Sequence, residues 1–313
     1  MIFNLGSINT DYFYDLPRLP GPGETLSATA MARGLGGKGA NQSVAASLAG
    51  AEVCHIGAVG PDGAWAVKRL KNVGVDAGFV RESETATAHA IVMVGESGEN
   101  QIVIFPGANM DQSPDVISDA LADGQPGDWL MLQNETSHQV DAAKLACDAG
   151  LNVAYSAAPF DVRAVEHVIP YATLLIMNAV EVEQFENATG TDVKSLPVDQ
   201  VLITKGNQGA AWYDLQQDKS VTVPALTVDA IDTTGAGDAF AGYFIAGLSQ
   251  HISVEEALFR ASVAAALSTT KKGTADAIPS LEAVMQFLED QDAKGAFAPH
   301  SWRTRSSRPH ASR

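Results

Sequence analysis

The chain has 313 residues, of which 46% are hydrophobic, so one large or two small domains with a substantial core are expected. Its 20 Lys and Arg residues are outnumbered by 37 Asp and Glu residues, which gives a formal net charge of −17. A surface this acidic repels nucleic-acid backbones and anionic membranes, so neither is an expected partner.

The cysteine content and the N-terminus predict a cytoplasmic protein that is not exported. Two cysteines are too few for a disulfide framework, which fits a reducing compartment. The first residues contain no basic segment followed by an apolar run. The best apolar stretch, residues 239–248, is too short to cross a bilayer.

Short apolar runs alternate with alanine-rich stretches along the chain. Runs typical of buried parallel strands occupy residues 1–5, 53–59, 129–132, 152–155, 174–177 and 201–204. Helical stretches are predicted at residues 41–49, 140–149, 181–188, 239–247, 254–269 and 281–289. This alternation predicts an α/β fold, a doubly wound and mostly parallel sheet flanked by helices.

Two segments, residues 11–33 and 86–106, depart from this pattern because they alternate apolar and polar positions. The second has a turn at residues 96–100 between two apolar runs. Exposed antiparallel strands are therefore expected, in a small β-sheet that lies over the α/β body as a lid. An edge meander without function is the alternative. Residues 1–293 form one domain in this interpretation.

The last twenty residues, 294–313, differ in charge from the rest of the chain. They contain five basic residues and no acidic one, and they show no apolar periodicity. Such a tail is expected to be disordered or to be an appended stretch of foreign origin. A basic binding arm is the alternative.

The first glycine-rich loop is Gly34-Leu35-Gly36-Gly37-Lys38-Gly39. It has the glycine spacing of a dinucleotide site, but the acid needed at the end of the next strand is missing, since Glu52 precedes that strand. A Walker A loop needs Ser or Thr after its lysine, and Gly39 follows Lys38. What is predicted is a glycine-rich turn into a helix, which offers Lys38 and Asn41 from the turn to a polyhydroxylated molecule.

The second loop, Asp232-Thr233-Thr234-Gly235-Ala236-Gly237-Asp238, runs directly into a predicted helix. Consecutive amides at Gly235, Ala236 and Gly237 would form a nest for a phosphate. Asp238 lies beside that nest, where it can take a proton from an attacking hydroxyl. The alternative is that Asp238 only complements the helix dipole, an effect of about 0.3–1 kcal/mol.

Two further loops match a nucleotide site. Asn178 and Glu181 follow a predicted strand and can face a phosphate–Mg²⁺ assembly, or they can form a helix cap. Residues 204–209 also follow a strand and have the glycine spacing of a turn that passes over a nucleotide. The seven histidines lack metal-ligand spacing, and no Gly-x-Ser-x-Gly elbow occurs.

Taken together, these motifs resemble the ribokinase-like, phosphofructokinase B-type carbohydrate kinases. Residues 36–42 resemble the N-terminal signature of that family and residues 232–238 its C-terminal one. Residues 6–11, 22–25, 98–100 and 107–109 resemble the ribokinase members more closely. The resemblance extends in order from residue 1 to about residue 290.

The resemblance implies an ATP- and Mg²⁺-dependent sugar kinase that phosphorylates the primary 5-hydroxyl of D-ribose. Another sugar, a sugar acid or a nucleoside as acceptor, or a non-catalytic binding paralogue, are the alternatives. It also implies activation by a monovalent cation such as K⁺ and a homodimer that forms through the small sheet.

The resemblance also implies roles for individual residues. The sugar-binding residues are Asn9, Asp11, Gly37, Lys38, Asn41, Glu135 and Asp238. Asp238 is the catalytic base, and the amides of Gly235, Ala236 and Gly237 form the anion hole. The ATP-binding residues are Asn178, Thr204, Lys205, Gly206, Gly209 and Gly237. Glu181 organises Mg²⁺ through water, and the monovalent-cation residues are Asp232, Thr234, Ser268, Lys271 and Gly273.

The sequence departs from the family pattern at three places. Ala277 stands where ribokinases tend to have a hydroxyl near the cation, which predicts weaker cation binding. Residues 155–159 and Asn134 also differ from the usual residues, on the side of the sugar. An acceptor other than ribose is compatible with these two differences.

Overall fold

Two β-sheets of unequal size form the described part of this computed structural model, residues 1–97 and 99–293. The prediction for residues 294–313 lies outside that part. In chain order the strands are β1 (Ile2–Leu5), β2 (Asn9–Leu16), β3 (Ala30–Gly36), β4 (Val53–Val59), β5 (Asp76–Glu82), β6 (Ala88–Gly95), β7 (Asn100–Phe105), β8 (Trp129–Gln133), β9 (Asn152–Ser156), β10 (Leu174–Asn178), β11 (Gln200–Thr204), β12 (Ala210–Asp214) and β13 (Lys219–Val223). The helices are α1 (Lys38–Leu48), α2 (Ala64–Asn72), α3 (Pro114–Ala122), α4 (Gln139–Asp148), α5 (Val162–Val168), α6 (Ala179–Thr189), α7 (Ala236–Ser249), α8 (Val254–Ser268) and α9 (Leu281–Ala293).

The larger sheet has the order β13-β12-β11-β10-β9-β8-β1-β4-β5. The strands from β11 to β5 pair in parallel, and the β12–β13 hairpin adds an antiparallel edge. The predicted doubly wound, mostly parallel sheet is confirmed. The strands β5, β12 and β13 are not among the predicted strands. β5 and β13 are half exposed and lack a continuous apolar run.

Two layers of helices cover the larger sheet, and each layer buries its own apolar cluster. The helices α1, α2, α7, α8 and α9 pack on one face, and α3, α4, α5 and α6 pack on the other. Successive side chains of a strand point to opposite faces, so Ile2 faces α1 and Phe3 faces the other layer. Asn4, also fully buried, lies on the α1 face of β1. It is a polar residue within an otherwise apolar strand.

The smaller sheet has the order β3-β2-β6-β7, and the prediction of a second, smaller sheet is confirmed. The expected antiparallel pairing occurs between β2 and β3 and between β6 and β7. The two hairpins join through a parallel pairing of β2 with β6, which the alternation of polar and apolar residues did not predict. The two central strands are largely covered, whereas every residue of the edge strand β7 is exposed.

Helix lengths and composition bear on membrane insertion. Among the described residues, no helix is both long enough and apolar enough to span a membrane.

Candidate active site

The carboxyl ends of the parallel strands lie at one edge of the larger sheet. β1 ends at Leu5 opposite Leu132 of β8, and Asn178 at the end of β10 is opposite Thr204 at the end of β11. Loops that follow such strands meet at the edge where α/β proteins bind ligands. Of the predicted site residues, Glu135 follows β8, Glu181 follows β10 and residues 205–209 follow β11, whereas the two glycine-rich loops follow β3 and β13.

The first glycine-rich loop is the connection from β3 into α1. Gly37 has a φ of 90°, and α1 begins directly after it at Lys38. Lys38 and Asn41 therefore belong to the first turn of the helix, and the prediction that a preceding turn presents them is wrong. A Cβ at Gly37 would lie 2.8 Å from the Ser7 carbonyl oxygen, and one at Gly39 would lie 2.3 Å from the Gly6 Cα. These two glycines let α1 approach the β1–β2 connection closely.

Asp238 lies in the first turn of α7 and is 8% exposed. Its carboxylate accepts two side-chain hydrogen bonds from α1: Asn41 Nδ2 donates to Oδ2 at 3.0 Å, and Gln42 Nε2 donates to Oδ1 at 3.1 Å. One amide donor on each oxygen fixes the rotation of the carboxylate group. The structure thus brings Asp238 and Asn41 together, as the predicted site requires.

Charged side chains that are buried or half-buried interact electrostatically with Asp238. Burial, together with the charges of Glu135 and Asp238, raises the pKa of Asp11 to about 7. The pKa of Glu135 is also raised by burial, although the nearby Lys38 opposes the shift. The pKa of Lys38 is raised, mainly by the charge of Asp238 and further by Glu135. Three carboxylates and one ammonium group therefore form one electrostatic cluster.

Glu135 is held at the start of α1. Its Oε2 accepts a hydrogen bond from Ser7 Oγ at 2.5 Å and another from the Lys38 amide at 3.0 Å. An ionised carboxylate at a helix N-terminus is favoured by the helix dipole and by the unpaired amides of the first turn.

Asn9 and Asp11 lie at the start of β2, and neighbouring side chains constrain both. The Asn9 Oδ1 accepts a hydrogen bond from Asn109 Nδ2 at 2.8 Å. The Asn109 Oδ1 accepts the amide of Ile8 at 2.9 Å, so the Asn9 amide group keeps its nitrogen for another partner. A Cβ at Gly36 would lie 1.9 Å from the Asp11 Oδ2, so glycine is needed beside this carboxylate.

The second loop leads into α7 through Gly235, which has a φ of 76°. The amides of Gly235 and Gly237 lie next to the helix start, where the helix itself offers no acceptor. The Ala236 amide donates to the Thr233 carbonyl at 3.3 Å. One of the three amides that are predicted to form the nest is therefore engaged within the loop.

A cleft of about 520 Å³ lies on the other side of the α7 N-terminus. Of the predicted nucleotide residues, Thr204, Gly206, Gly209 and Gly237 line it, together with apolar residues such as Leu226 and Phe240. Asn178 and Lys205 are not among its lining residues. A largely apolar cleft that ends at backbone amides suits a planar ring attached to phosphates.

Asn178 and Glu181 form a capping box at the start of α6. Asn178 Oδ1 accepts the Glu181 amide at 2.9 Å, and Glu181 Oε2 accepts the Asn178 amide at 2.8 Å. The helix-cap alternative is therefore present in the structure. Burial raises the pKa of Glu181, and the charges of Lys38 and Asp238 also act on it, so Glu181 belongs to the same cluster.

Four of the five predicted cation residues lie in two loops that Asp232 joins, and Ser268 is the last residue of α8. The Asp232 Oδ1 accepts the Thr234 amide at 3.0 Å, and its Oδ2 accepts the Gly273 amide at 3.1 Å. Ser268 is buried, and its carbonyl accepts the Lys271 amide at 3.4 Å. Ala277, four residues after Gly273 in the sequence, is buried, and its side chain has no hydroxyl group.

The two places on the sugar side where the sequence departs from the family pattern, residues 155–159 and Asn134, contact each other. Tyr155 Oη donates to Asn134 Oδ1 at 2.5 Å, and Asn134 Nδ2 donates to the Pro159 carbonyl at 2.9 Å. Tyr155 is fully buried. These residues tie the end of β8 to the end of β9, next to Glu135.

Sequence reasoning assigned no role to four residues that contact the predicted site. Gln42 binds Asp238, Gln133 binds Gln42, and Asn109 binds Asn9. Thr274, whose hydroxyl donates to the Leu35 carbonyl at 2.7 Å, partly offsets the rise in the pKa of Asp11. For Gln133, a signal is present in the sequence, because an amide at the end of an apolar strand needs a buried partner. For Thr274 no such signal exists.

Comparison with known proteins gives a consistent result. The family model described as "pfkB family carbohydrate kinase" matches residues 1–281. The chain is 34% identical to a ribokinase of Haemophilus influenzae, with 91% of this chain and 97% of that protein covered. It is 32% identical to a deoxyribokinase of Salmonella typhimurium, at 91% and 97% coverage. The structure of an Arabidopsis thaliana ribokinase complexed with ribose and ATP superposes with a TM-score of 0.79 at 29% identity, covering 92% of this chain and 98% of that one.

Proposed function

Because the chain belongs to the pfkB family of carbohydrate kinases, which it matches over residues 1–281, we propose that it transfers the γ-phosphoryl group of ATP to the 5-hydroxyl of D-ribose. The observation that carries this proposal is the position of Asp238. Its carboxylate, oriented by Asn41 and Gln42, lies between the charged cluster around Asp11 and the amides at the start of α7. A base between an acceptor pocket and an anion site is the arrangement that phosphoryl transfer needs.

The sugar binds on the side of the charged cluster. Asp11 and Glu135 accept hydrogen bonds from hydroxyl groups, and the free amide nitrogen of Asn9 donates one. Asp238 takes the proton of the attacking 5-hydroxyl as the O–P bond forms, and the released ADP carries the electron pair of the broken P–O bond. The ammonium group of Lys38 offsets the negative charge that gathers there.

ATP binds in the cleft of about 520 Å³. Its adenine lies against the apolar walls, and its phosphates reach the amides of Gly235 and Gly237 at the start of α7. The helix dipole favours the negative charge of the transferring oxygens at that end. The small sheet, acting as a lid, excludes water that would otherwise compete as the acceptor.

The single carboxylate of Glu181 is compatible with Mg²⁺. The described residues contain no group of three or more His, Cys, Asp or Glu side chains that could hold a metal ion. Mg²⁺, however, keeps several waters and binds through one or two carboxylates together with substrate phosphates. Glu181 would hold the hydrated ion with Oε1, the oxygen that the capping box leaves unused. When bound, the ion neutralises charge on the β- and γ-phosphates.

A monovalent cation, K⁺ in this proposal, binds between the two loops that Asp232 joins. Backbone carbonyls of these loops would be its main ligands, and Asp232, which accepts the amides of Thr234 and Gly273, would hold the two loops together around it. An ion bound at this site would order the loop that carries the predicted anion hole, Gly235 to Gly237. The methyl group of Ala277 contributes nothing to the ion, so binding is weaker than with a hydroxyl there.

A second copy of this chain covers the small sheet. β7 exposes Ile102, Val103, Ile104 and Phe105 by 43–59%, and Met31 of β3 is 59% exposed. Exposed apolar edge strands recruit another strand or sheet, so a homodimer explains this surface. Sedimentation equilibrium should give a dimer for the parent protein and a monomer for Ile102→Glu. Leu145→Glu, at a 42% exposed site on α4, is the matched control and should stay dimeric.

The acceptor is tested with purified protein, ATP and a panel of ribose, 2-deoxyribose, fructose and ribonucleosides. Ribose should give the highest kcat/KM, with the phosphate placed on C5 by ³¹P NMR. A higher value for 2-deoxyribose or a nucleoside would overturn ribose as the substrate. Absence of turnover with the whole panel would overturn the kinase proposal and favour a binding paralogue.

A further inference from the structure

Beyond the base itself, and resting on the proposed kinase activity, we propose that Gln42 is a positioning residue for Asp238. A buried series of side-chain amides fixes which way the Gln42 amide points. This amide relay consists of Gln42, Gln133 and Asn4, and it ends at the backbone carbonyl of Gly39.

The direction of the relay is set at its far end. A backbone carbonyl can only accept, so Asn4 must present its Nδ2 to the Gly39 oxygen, at 2.9 Å. The Asn4 Oδ1 then points the other way and accepts from Gln133 Nε2 at 2.9 Å. The orientation of both amides therefore follows from one carbonyl group.

The same direction continues to the base. Gln133 Nε2 also donates to Gln42 Oε1 at 2.8 Å, which commits the oxygen of Gln42 to the relay. Only the nitrogen of Gln42 remains for Asp238 Oδ1, and the contact measures 3.1 Å. A flipped Gln42 would place an oxygen against the carboxylate, and the relay prevents this flip.

The relay is buried, and it meets the proposed site where Gln42 donates to Asp238. Asn4 is 0% exposed and Gln42 and Gln133 are each 1% exposed, on β1, α1 and β8. Among the described residues, the buried Gln133 Oε1 has no hydrogen-bond partner. Leaving a buried acceptor unpaired costs stability, so a purely structural role would favour an apolar side chain at this position. The stability cost of the unpaired Gln133 oxygen is explained if Gln133 Nε2 is needed to orient Gln42.

Asp238 faces several charges besides the amides. Lys38 lies on α1, Asp11 on β2, Glu135 follows β8, and Glu181 lies on α6. Three of these four groups are carboxylates that repel Asp238. Two fixed donors, from Asn41 and Gln42, hold the carboxylate in one rotamer against that repulsion. Loss of one donor should therefore impair the chemical step more than the binding of either substrate.

The test uses Gln42→Met and Gln133→Met, because methionine keeps the length and volume but cannot donate. With ribose and ATP, Gln42→Met should lower kcat by about 10- to 100-fold, the usual effect of losing one hydrogen bond to a charged group. Gln133→Met should lower kcat by a smaller factor, about 3- to 10-fold, with both KM values within about threefold of the parent. The double variant should behave like Gln42→Met, since Gln133 acts only through Gln42.

Ser43→Ala is the matched control. Ser43 is as buried as the relay residues and accepts from Asn4 Nδ2 at 2.8 Å, but it leads to His55 and away from Asp238. Its loss should lower the Tm and leave kcat unchanged, because the Gly39 carbonyl still orients Asn4. A fall of kcat in this variant equal to that of Gln133→Met would overturn a specific role for the relay.

The parent protein is assayed first, which separates the two possible failures. A parent that turns over no acceptor overturns the proposed kinase function. An active parent with an unimpaired Gln42→Met variant overturns the positioning role alone. Independent, multiplying losses in the double variant would also overturn it. If Gln42→Met does not fold, an unchanged kcat in Gln133→Met overturns the proposal in the same way.

Discussion

The two sides of the α7 N-terminus differ in how they are built. On the sugar side, buried carboxylates, an ammonium group and several amides hold one another in fixed positions around Asp238. On the nucleotide side, the cleft of about 520 Å³ is lined mainly by small or apolar residues and by glycines such as Gly206 and Gly237. Charge and side-chain orientation therefore determine binding on the sugar side, and the shape of the cleft determines binding on the nucleotide side.

This difference indicates how each side should respond to substitution. A network of paired polar groups loses function when one partner changes, because the others are left unpaired in a buried site. An apolar cleft changes gradually with volume, since dispersion and burial add up over many small contacts. Substitutions on the sugar side should therefore have the larger and more specific effects.

The largest effect is expected for Asp238→Asn. Loss of the base should lower kcat by roughly 10²- to 10⁴-fold, while ATP binding is retained. The measurement is steady-state kinetics together with nucleotide titration calorimetry. A near-normal kcat in a folded variant would falsify the base assignment and leave Asp238 as a partner of the helix dipole.

The same substitution should change stability by less than about 1 kcal/mol, because Asn keeps the size and helix position of Asp. The structure supplies the reason. Asn41 Oδ1 is buried and has no hydrogen-bond partner within residues 1–97 and 99–293, so Asn41 can flip and accept from the new amide nitrogen. Thermal melts of both proteins provide the control that the loss of kcat is not a loss of fold.

Much of the larger sheet could be predicted because buried parallel strands are continuous apolar runs and their helices are alanine-rich. The start of α1 could not, since Gly37 and Gly39 are typical of loops. Glycine is needed at position 39 of the helix because a Cβ there would collide with Gly6, a contact between residues distant in the sequence. The partners of Asp238 could not be predicted either, because the direction of the Gln42 amide depends on three further residues on two other strands and on α1 itself.

The next largest effect is expected for Asp11→Asn, which also probes the sugar side. Asp11 accepts hydroxyl groups in both ground and transition states, so its loss should raise the KM for sugar by about 10- to 100-fold with a smaller change in kcat. The KM for ATP should not change. Equal loss in kcat and in kcat/KM, with the sugar KM unaltered, would contradict this assignment.

The ionisation of Asp11 adds a pH dependence with a definite sign. Burial beside Glu135 and Asp238 raises its pKa to about 7, above the value of 3.8 expected for an unfolded chain. The folded protein thus binds the proton more tightly, and this stabilisation is full below pH 3.8 and is lost as the pH rises through 7. Asp11→Asn, which mimics the neutral carboxyl group, should therefore melt at a higher temperature than the parent at pH 8. At pH 5 the difference should be much smaller.

On the nucleotide side, Gly237→Ala separates binding from stability. A Cβ at Gly237 meets no atom within 4 Å, and the variant keeps the backbone amide. Stability should stay equal or rise by about 0.5–1 kcal/mol, because alanine favours a helix more than glycine does. If phosphates lie against this turn, the added methyl should raise the KM for ATP by about tenfold and leave the sugar KM unchanged. An unchanged ATP KM would place the phosphates elsewhere.

The smallest effect on activity is expected from the monovalent cation. It would act on the sugar and nucleotide sides only by ordering the loop before α7. Asp232 accepts hydrogen bonds from the Thr234 and Gly273 amides, so protein groups already partly order the loop. Ala277 offers no ligand, which weakens binding further. Replacing Na⁺ with K⁺ at constant ionic strength should thus raise kcat by only about two- to tenfold, and less change is expected in either KM. Ala277→Ser should enlarge the effect, because its hydroxyl restores an oxygen near the ion. An activity that is independent of the cation in both proteins would remove this site and leave Asp232 with only its role of joining the two loops.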